Sequence, residues 1–188
     1  MKWKHKPNNY LLDSNTICIT ADHGTNLFNS PSSNRREHNF PYWYENYTGD
    51  FIIKCKVSPD FFAKYDQGDI VIWETKDKWI KLAYEKSDNG YPSIVSVVTN
   101  GTSDDCTGPQ ISGPVWLLIC RKENSFALHY STDGLSWNLT RIFNLKMKVS
   151  VQIGISAQCP SGEKCTVIFE HLTIGNNPYS DIRNLKID

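Results

Sequence analysis

The segment from Tyr65 to Glu85 reads YDQGDIVIWETKDKWIKLAYE, two strand-like runs hinged at Lys76-Asp77-Lys78. In the second run Trp79, Lys81, Ala83 and Glu85 fall on one face and Ile80, Leu82 and Tyr84 on the other, because side chains alternate across a strand. A lysine and a glutamate thus share a face with a tryptophan, while the opposite face is apolar. Both faces are at least partly covered. A strand inside a sandwich of two sheets meets that condition, with one face packed on the partner sheet and the other lining a groove.

The rest of the chain has the same character. Strands are expected near residues 11–20, 50–58, 69–76, 79–86, 92–100, 115–121, 125–131, 148–157 and 165–174, with Val149, Val151, Ile153 and Ile155 showing the alternation best. Turn residues separate them at Asp88-Asn89-Gly90, Gly108-Pro109, Gly113-Pro114 and Asp133-Gly134, as hairpins and sandwich loops require. The segment from Asn29 to Tyr44 is polar and then aromatic, and is expected to be an irregular loop over one edge or mouth of the sandwich. An all-β sandwich in one domain over residues 1–188 follows, a size that buries a substantial core.

Charge narrows the partners. Lys plus Arg equal Asp plus Glu at 20 each, so no net field attracts nucleic acid or an anionic membrane. The start, MKWKHKPNNYLLDSNT, has no apolar stretch of signal-peptide length, and nowhere does an apolar run reach membrane-spanning length. A cytoplasmic protein with no nucleic-acid or membrane partner is expected. None of the six cysteines forms Cys-x-x-Cys, the five histidines show no paired-ligand spacing, and there is no Gly-rich phosphate loop. No metal and no cofactor is expected. Cys55 and Cys120 sit in apolar runs and read as buried free thiols. Cys159 and Cys165 flank a turn and form the one pair in which a disulfide is suspected.

The order Tyr65-Asp66-Gln67-Gly68, Trp79-Ile80-Lys81 with Glu85, Ser96-Val97-Val98-Thr99-Asn100, Ser103-Asp104, Arg121, and Tyr130-Ser131-Thr132-Asp133-Gly134 with Trp137 resembles the DUF1349 family over roughly residues 10–175. That resemblance implies a concanavalin A-like jelly-roll sandwich of two antiparallel sheets. It implies no particular reaction, although one member is described as a regulator of enolase. Where many members carry Asp-Phe-Trp, this chain has Asn26-Leu27-Phe28-Asn29-Ser30, so the contact of that tryptophan is not expected here.

Asp66, Gln67, Trp79, Lys81, Glu85, Thr99, Arg121 and His129 form the expected ligand-binding set, all on or at the ends of strands. Such groups fit either a solvated, salt-bridged outer sheet face or a concave site with convergent polar groups. Arg121 is the expected anchor for a carboxylate or phosphate, because its planar fork binds such groups bidentately. Phe40, Tyr42, Trp43, Tyr44, Tyr47, Trp73 and Trp79 supply rings that either stack on a sugar or cap the core; Trp116 and Trp137 are assigned to packing. No catalytic residue is assigned. A Glu-x-Asp-x-x-Glu strand is missing, and Asp66 with Glu85 is the one arguable carboxyl pair. The expected function is non-catalytic binding of a carbohydrate or sugar-like metabolite on the concave sheet. A regulatory protein acting through a protein partner and a sugar-active enzyme are the alternatives.

Overall fold

The computed structural model describes residues 1–187. Among them are sixteen strands and no helix. In chain order the first eight are β1 (Lys2–Lys4), β2 (Asn9–Leu12), β3 (Thr16–Asp22), β4 (Leu27–Asn29), β5 (Arg36–His38), β6 (Tyr42–Thr48), β7 (Phe51–Pro59) and β8 (Gln67–Thr75). The remainder are β9 (Lys78–Lys86), β10 (Pro92–Asn100), β11 (Thr102–Gln110), β12 (Val115–Lys122), β13 (Ser125–Ser131), β14 (Asn138–Asn144), β15 (Ser150–Gln158) and β16 (Lys164–Asn176). No helix among the described residues is long and apolar enough to cross a membrane.

Two antiparallel sheets of seven strands form the sandwich expected from the sequence. One runs β1-β6-β15-β8-β9-β10-β11, the other β14-β13-β12-β7-β16-β3-β2, and β4 pairs with β5 in a separate hairpin. In β7 the sequence FIIKCKVSP buries Phe51, Ile53, Cys55 and Val57 and leaves the intervening residues partly exposed, which is the alternation of a strand with one face on the core. Ile70, Ile72, Ile80 and Leu82 answer from the facing sheet, and one contiguous apolar cluster joins the two layers. Each such side chain contributes about 1.5–3 kcal/mol when fully buried. The layers meet closely at Gly68, where a Cβ would lie 2.5 Å from Val167 Cγ1 and 2.6 Å from Val57 Cγ1.

β8 and β9 are buried on both faces along most of their length, as the mixed pattern of Trp79, Lys81 and Glu85 implied. The cover on the second face comes from a segment expected to be irregular. Residues 29–44 instead contain most of the β4–β5 hairpin and the start of β6, and the hairpin lies over the first sheet. Phe40, Tyr42, Tyr44, Trp73 and Trp79 pack there with Leu27 into a second apolar cluster. These rings cap a core and do not form an open stacking platform. Trp43 and Tyr47 turn the other way and pack against the main core, so Trp43 contributes to no exposed aromatic patch.

All six cysteines are free, including Cys159 and Cys165, which are fully buried. The suspected disulfide is not formed. Cys55 and Cys120 are buried unpaired thiols, as their apolar runs indicated.

Candidate functional site

Strand register builds the outer face of the first sheet in rows. Glu85 lies between Gln67 of β8 and Ser93 of β10, Ala83 between Asp69 and Val95, Lys81 between Val71 and Val97, and Trp79 between Trp73 and Thr99. The β10–β11 ladder extends all four rows, placing Gln110 opposite Ser93, Thr107 opposite Val95, Asp105 opposite Val97 and Ser103 opposite Thr99. A polar edge at Gln67 and Glu85 therefore faces an apolar centre at Ala83, Val95 and Val97, with Lys81 beyond.

The β4–β5 hairpin closes part of this face. The Leu27 amide donates to Gln158 Oε1 at 2.7 Å and to Asn26 Oδ1 at 2.9 Å, while the Leu27 carbonyl accepts from Lys81 Nζ at 3.2 Å. Gln158 Nε2 donates in turn to Asp69 Oδ2. Asn29 ties down the other end of β4: its amide donates to Ser103 Oγ at 3.0 Å, and its Nδ2 to the carbonyls of Lys76 and Gly101 at 2.9 and 3.0 Å.

What the hairpin leaves open is a cavity of about 260 Å³. Gln67, Lys81, Glu85, Val95, Val97 and Thr107 form its floor; Asn26, Phe28 and Arg35 are the hairpin side, and Tyr65, Asp88, Asp105 and Pro160 complete the lining. Arg35 pairs with Glu37 at 3.1 Å, and the Tyr65 hydroxyl donates to Asp88 Oδ1. Glu85 has no hydrogen bond and no ion pair among the described residues, although it is only 9% exposed. Gln67 donates from Nε2 to the Tyr65 carbonyl at 3.0 Å, but its buried Oε1 has no partner in the protein. Asp69 Oδ1 and Trp79 Nε1 are likewise buried and unpartnered. Buried polar atoms are usually satisfied, so their concentration on one sheet face marks it as unusual.

Desolvation governs the electrostatics. Burial pushes the Asp69 carboxyl from an ordinary 3.8 up to about 7, with Lys81 opposing the rise and Glu85 adding to it. Burial also pushes Glu85 from 4.5 to about 7, again opposed by Lys81, with Asp88 and Asp105 adding to the rise. A single ammonium thus stands among carboxyls that repel one another.

Of the eight residues expected in the site, Gln67, Lys81 and Glu85 line the cavity. Trp79 and Thr99 share their sheet face but lie outside it: Trp79 is packed in the aromatic cluster, and Thr99 Oγ1 contacts Ser103 Oγ at 3.0 Å. Asp66 is a turn-builder, its Oδ2 accepting from the Phe62 and Ala63 amides at 2.9 and 2.7 Å, so an Asp66–Glu85 acid pair is not assembled in the cavity. Arg121 and His129 belong to the other sheet, which overturns the expectation of a common groove with Lys81 and Glu85. Arg121 spends its fork on carbonyls, donating from Nε to Glu123 at 2.7 Å and from Nη2 to Lys148 at 2.9 Å. His129 donates from Nε2 to the Ile182 carbonyl at 2.9 Å, beneath the C-terminal segment. Asn26, Phe28, Arg35, Asp88, Asp105 and Thr107 were not anticipated. Asp69 was missed although a charge inside the apolar run GDIVIW is a readable signal.

The family described as "Protein of unknown function (DUF1349)" matches residues 3–177. The chain belongs to the DUF1349 family. Among solved structures, this DUF1349 chain is similar to a functionally unknown protein from Saccharomyces cerevisiae, with 21% identity, a TM-score of 0.88, and 93% of this chain and 95% of that one covered. It is also similar to the GH43 protein BlXynB from Bacillus licheniformis, with 16% identity, a TM-score of 0.69, and 90% of this chain and 35% of that one covered. The chain therefore spans about a third of that protein's length. The carbohydrate-binding module CBM66 from Bacillus subtilis shares 10% identity, with a TM-score of 0.52 over 73% of this chain and 81% of that one. No curated protein sequence matches. At these identities the likenesses establish the jelly-roll fold.

Proposed function

We propose that this protein binds a carbohydrate in the cavity between the β4–β5 hairpin and the outer face of the first sheet. The observation that carries the reading is the pairing, in one cavity, of polar groups without partners and a small apolar floor. Gln67 Oε1 and the Glu85 carboxyl are unengaged acceptors, and Lys81 Nζ, which makes one bond to Leu27, has donors to spare. Val95 and Val97 lie between them, and Phe28 and Tyr65 add aromatic surface. A sugar ring presents hydroxyls at its edge and apolar faces above and below, so it matches convergent polar groups around an apolar patch. The names of the similar folds, a carbohydrate-binding module and a GH43 protein, support the same class.

The role is binding in a cytoplasmic setting, where six unpaired thiols persist. The experiment is a glycan-array and monosaccharide thermal-shift screen of the whole chain, repeated with Gln67→Ala. A sugar that raises the melting temperature of the parent and not of the variant is the expected result, since a native-state ligand stabilises by mass action. Equal shifts in both proteins would locate the site elsewhere.

A further inference from the structure

The whole chain is balanced at 20 basic and 20 acidic residues, but the cavity is not. Glu85, Asp88 and Asp105 line it against Lys81 and Arg35. Each cation has one partner outside the acids of the cavity, Arg35 with Glu37 at 3.1 Å and Lys81 with the Leu27 carbonyl at 3.2 Å, and neither pairs with Glu85, Asp88 or Asp105. The acids are less well answered. Among the described residues neither Glu85 nor Asp105 has a hydrogen bond or an ion pair, and Asp88 receives only the Tyr65 hydroxyl. Gln67, 1% exposed, adds a buried acceptor with no partner next to Glu85 in the same row. In the Gln67–Glu85 row the unmet groups are acceptors, so the complementary ligand group there is a multi-proton donor bearing positive charge.

We infer, building on the carbohydrate reading, that the ligand is a sugar bearing a free primary amine, a de-acetylated hexosamine, with its ammonium held by Glu85 and Gln67 and the ring lying over Val95 and Val97. Cavity size agrees, because about 260 Å³ lies at or below the small end of ligand pockets, about 300–1,000 Å³, and suits a single ring or chain end. An ammonium can donate to Gln67 Oε1 and to the Glu85 carboxylate, neighbours in one row of the sheet, while Asp105, exposed at the rim, adds negative potential at longer range. Acetylation removes the charge, a neutral sugar leaves the acids unanswered, and a uronate adds repulsion.

Glu85 faces Lys81 along β9, Asp69 from β8, Asp105 from β11, Asp88 and Tyr65 from the flanking loops, and Arg35 from the hairpin side. With its proton held up to about pH 7, amine binding requires proton loss and strengthens as pH rises toward neutrality.

Calorimetry of the full chain with glucosamine, glucose, N-acetylglucosamine, glucuronate and methylammonium tests the inference. Glucosamine is expected to bind about tenfold or more tightly than each of the others, to weaken as pH falls below about 6, and to lose about tenfold in Glu85→Gln. Glucose or N-acetylglucosamine binding as well as glucosamine would overturn the amine while leaving the carbohydrate reading intact. Methylammonium binding as well as glucosamine would overturn the sugar component. Binding of none would overturn both. If Glu85→Gln fails to fold, Asp105→Asn at the exposed rim provides the same test with a smaller expected loss.

Discussion

Lys81 and Glu85 project from the same face of β9 into one cavity and form no ion pair with each other; the Lys81 ammonium donates instead to the Leu27 carbonyl of the overlying hairpin at 3.2 Å. The spacing of four residues put them on one face, but a strand separates such residues by roughly 13 Å along its axis. The lysine is thereby committed to holding the hairpin, and the glutamate is left facing the cavity. The Lys81 charge reaches both Glu85 and Asp69 without neutralising either by contact.

A dependence of stability on pH follows. Asp69 and Glu85 ordinarily titrate at 3.8 and 4.5, and in the fold both are raised to about 7. The folded chain therefore holds extra protons in this interval, and the stability they confer is present below about pH 4 and lost as pH rises through 7. Each carboxyl contributes a slope of at most about 1.4 kcal/mol per pH unit. Urea unfolding of the parent and of Asp69→Asn from about pH 4 to 8 checks this. The variant should gain on the parent steadily with pH, and a difference constant across the range would refute the assignment. Lys81→Met should move the window upward, because the one cation that opposes both shifts is gone.

The strands that were legible in the sequence are those with one or two buried apolar faces. β10 and β13 were expected at residues 92–100 and 125–131 and occur at those positions. β11 and β14 were not seen because they are sheet-edge strands whose residues, TSDDCTGPQ and NLTRIFN, stay largely exposed or half-buried and so carry no period-two apolar signal. The hairpin escaped for a related reason: β4 and β5 are three residues each and pair across a polar loop. Its role as a roof depends on Leu27 and Asn29 meeting β9, β11 and β15, contacts made far apart in sequence. Three of eight expected site residues reached the cavity: alternation fixes a face but not the sheet, which removes Arg121 and His129, nor which stretch of the face is covered, which removes Trp79 and Thr99, and Asp66 is taken by a turn.

Arg121 shows the limit most clearly, and it supports a second prediction. A buried arginine at a strand end reads as an anion anchor, yet its fork is filled by the carbonyls of Glu123, Val149, Met147 and Lys148. It fastens the turn between β14 and β15 to β12. Arg121→Lys keeps the charge but not the fork, and should destabilise the fold by about 2–4 kcal/mol. Sugar affinity, measured at a temperature where the variant is folded, should be unchanged. Altered affinity with unchanged stability would restore Arg121 to the site.

Thiol reactivity supplies a third. Cys106 is exposed and Cys18 half-buried, whereas Cys55, Cys120, Cys159 and Cys165 are buried. Burial also pushes the Cys120 and Cys159 thiols up to about 12, with Asp66 adding to the rise at Cys159, and so suppresses the reactive thiolate. Titration with a disulfide reagent should show one fast thiol, abolished in Cys106→Ser, and all six after denaturation. Fewer than six on denaturation without reductant would mean that a disulfide forms.

The last prediction concerns the latch beneath the hairpin. Gln158 is fully buried and bridges two elements, accepting from the Leu27 amide through Oε1 at 2.7 Å and donating to Asp69 through Nε2. Gln158→Leu removes both contacts. The Leu27 amide keeps its bond to Asn26 Oδ1 at 2.9 Å, so the larger loss falls on Asp69, whose other oxygen already has no partner. A cost of about 1–3 kcal/mol is expected, with a further rise in the Asp69 proton affinity, because a bond that favours the carboxylate is gone. The hairpin should feel the change most. Hydrogen exchange in β4 and β5 should accelerate beyond what the global loss of stability allows, while β9 and β10 follow the global value. Uniform acceleration across all four strands would show that Gln158 supports the sandwich as a whole and does not hold the roof of the cavity.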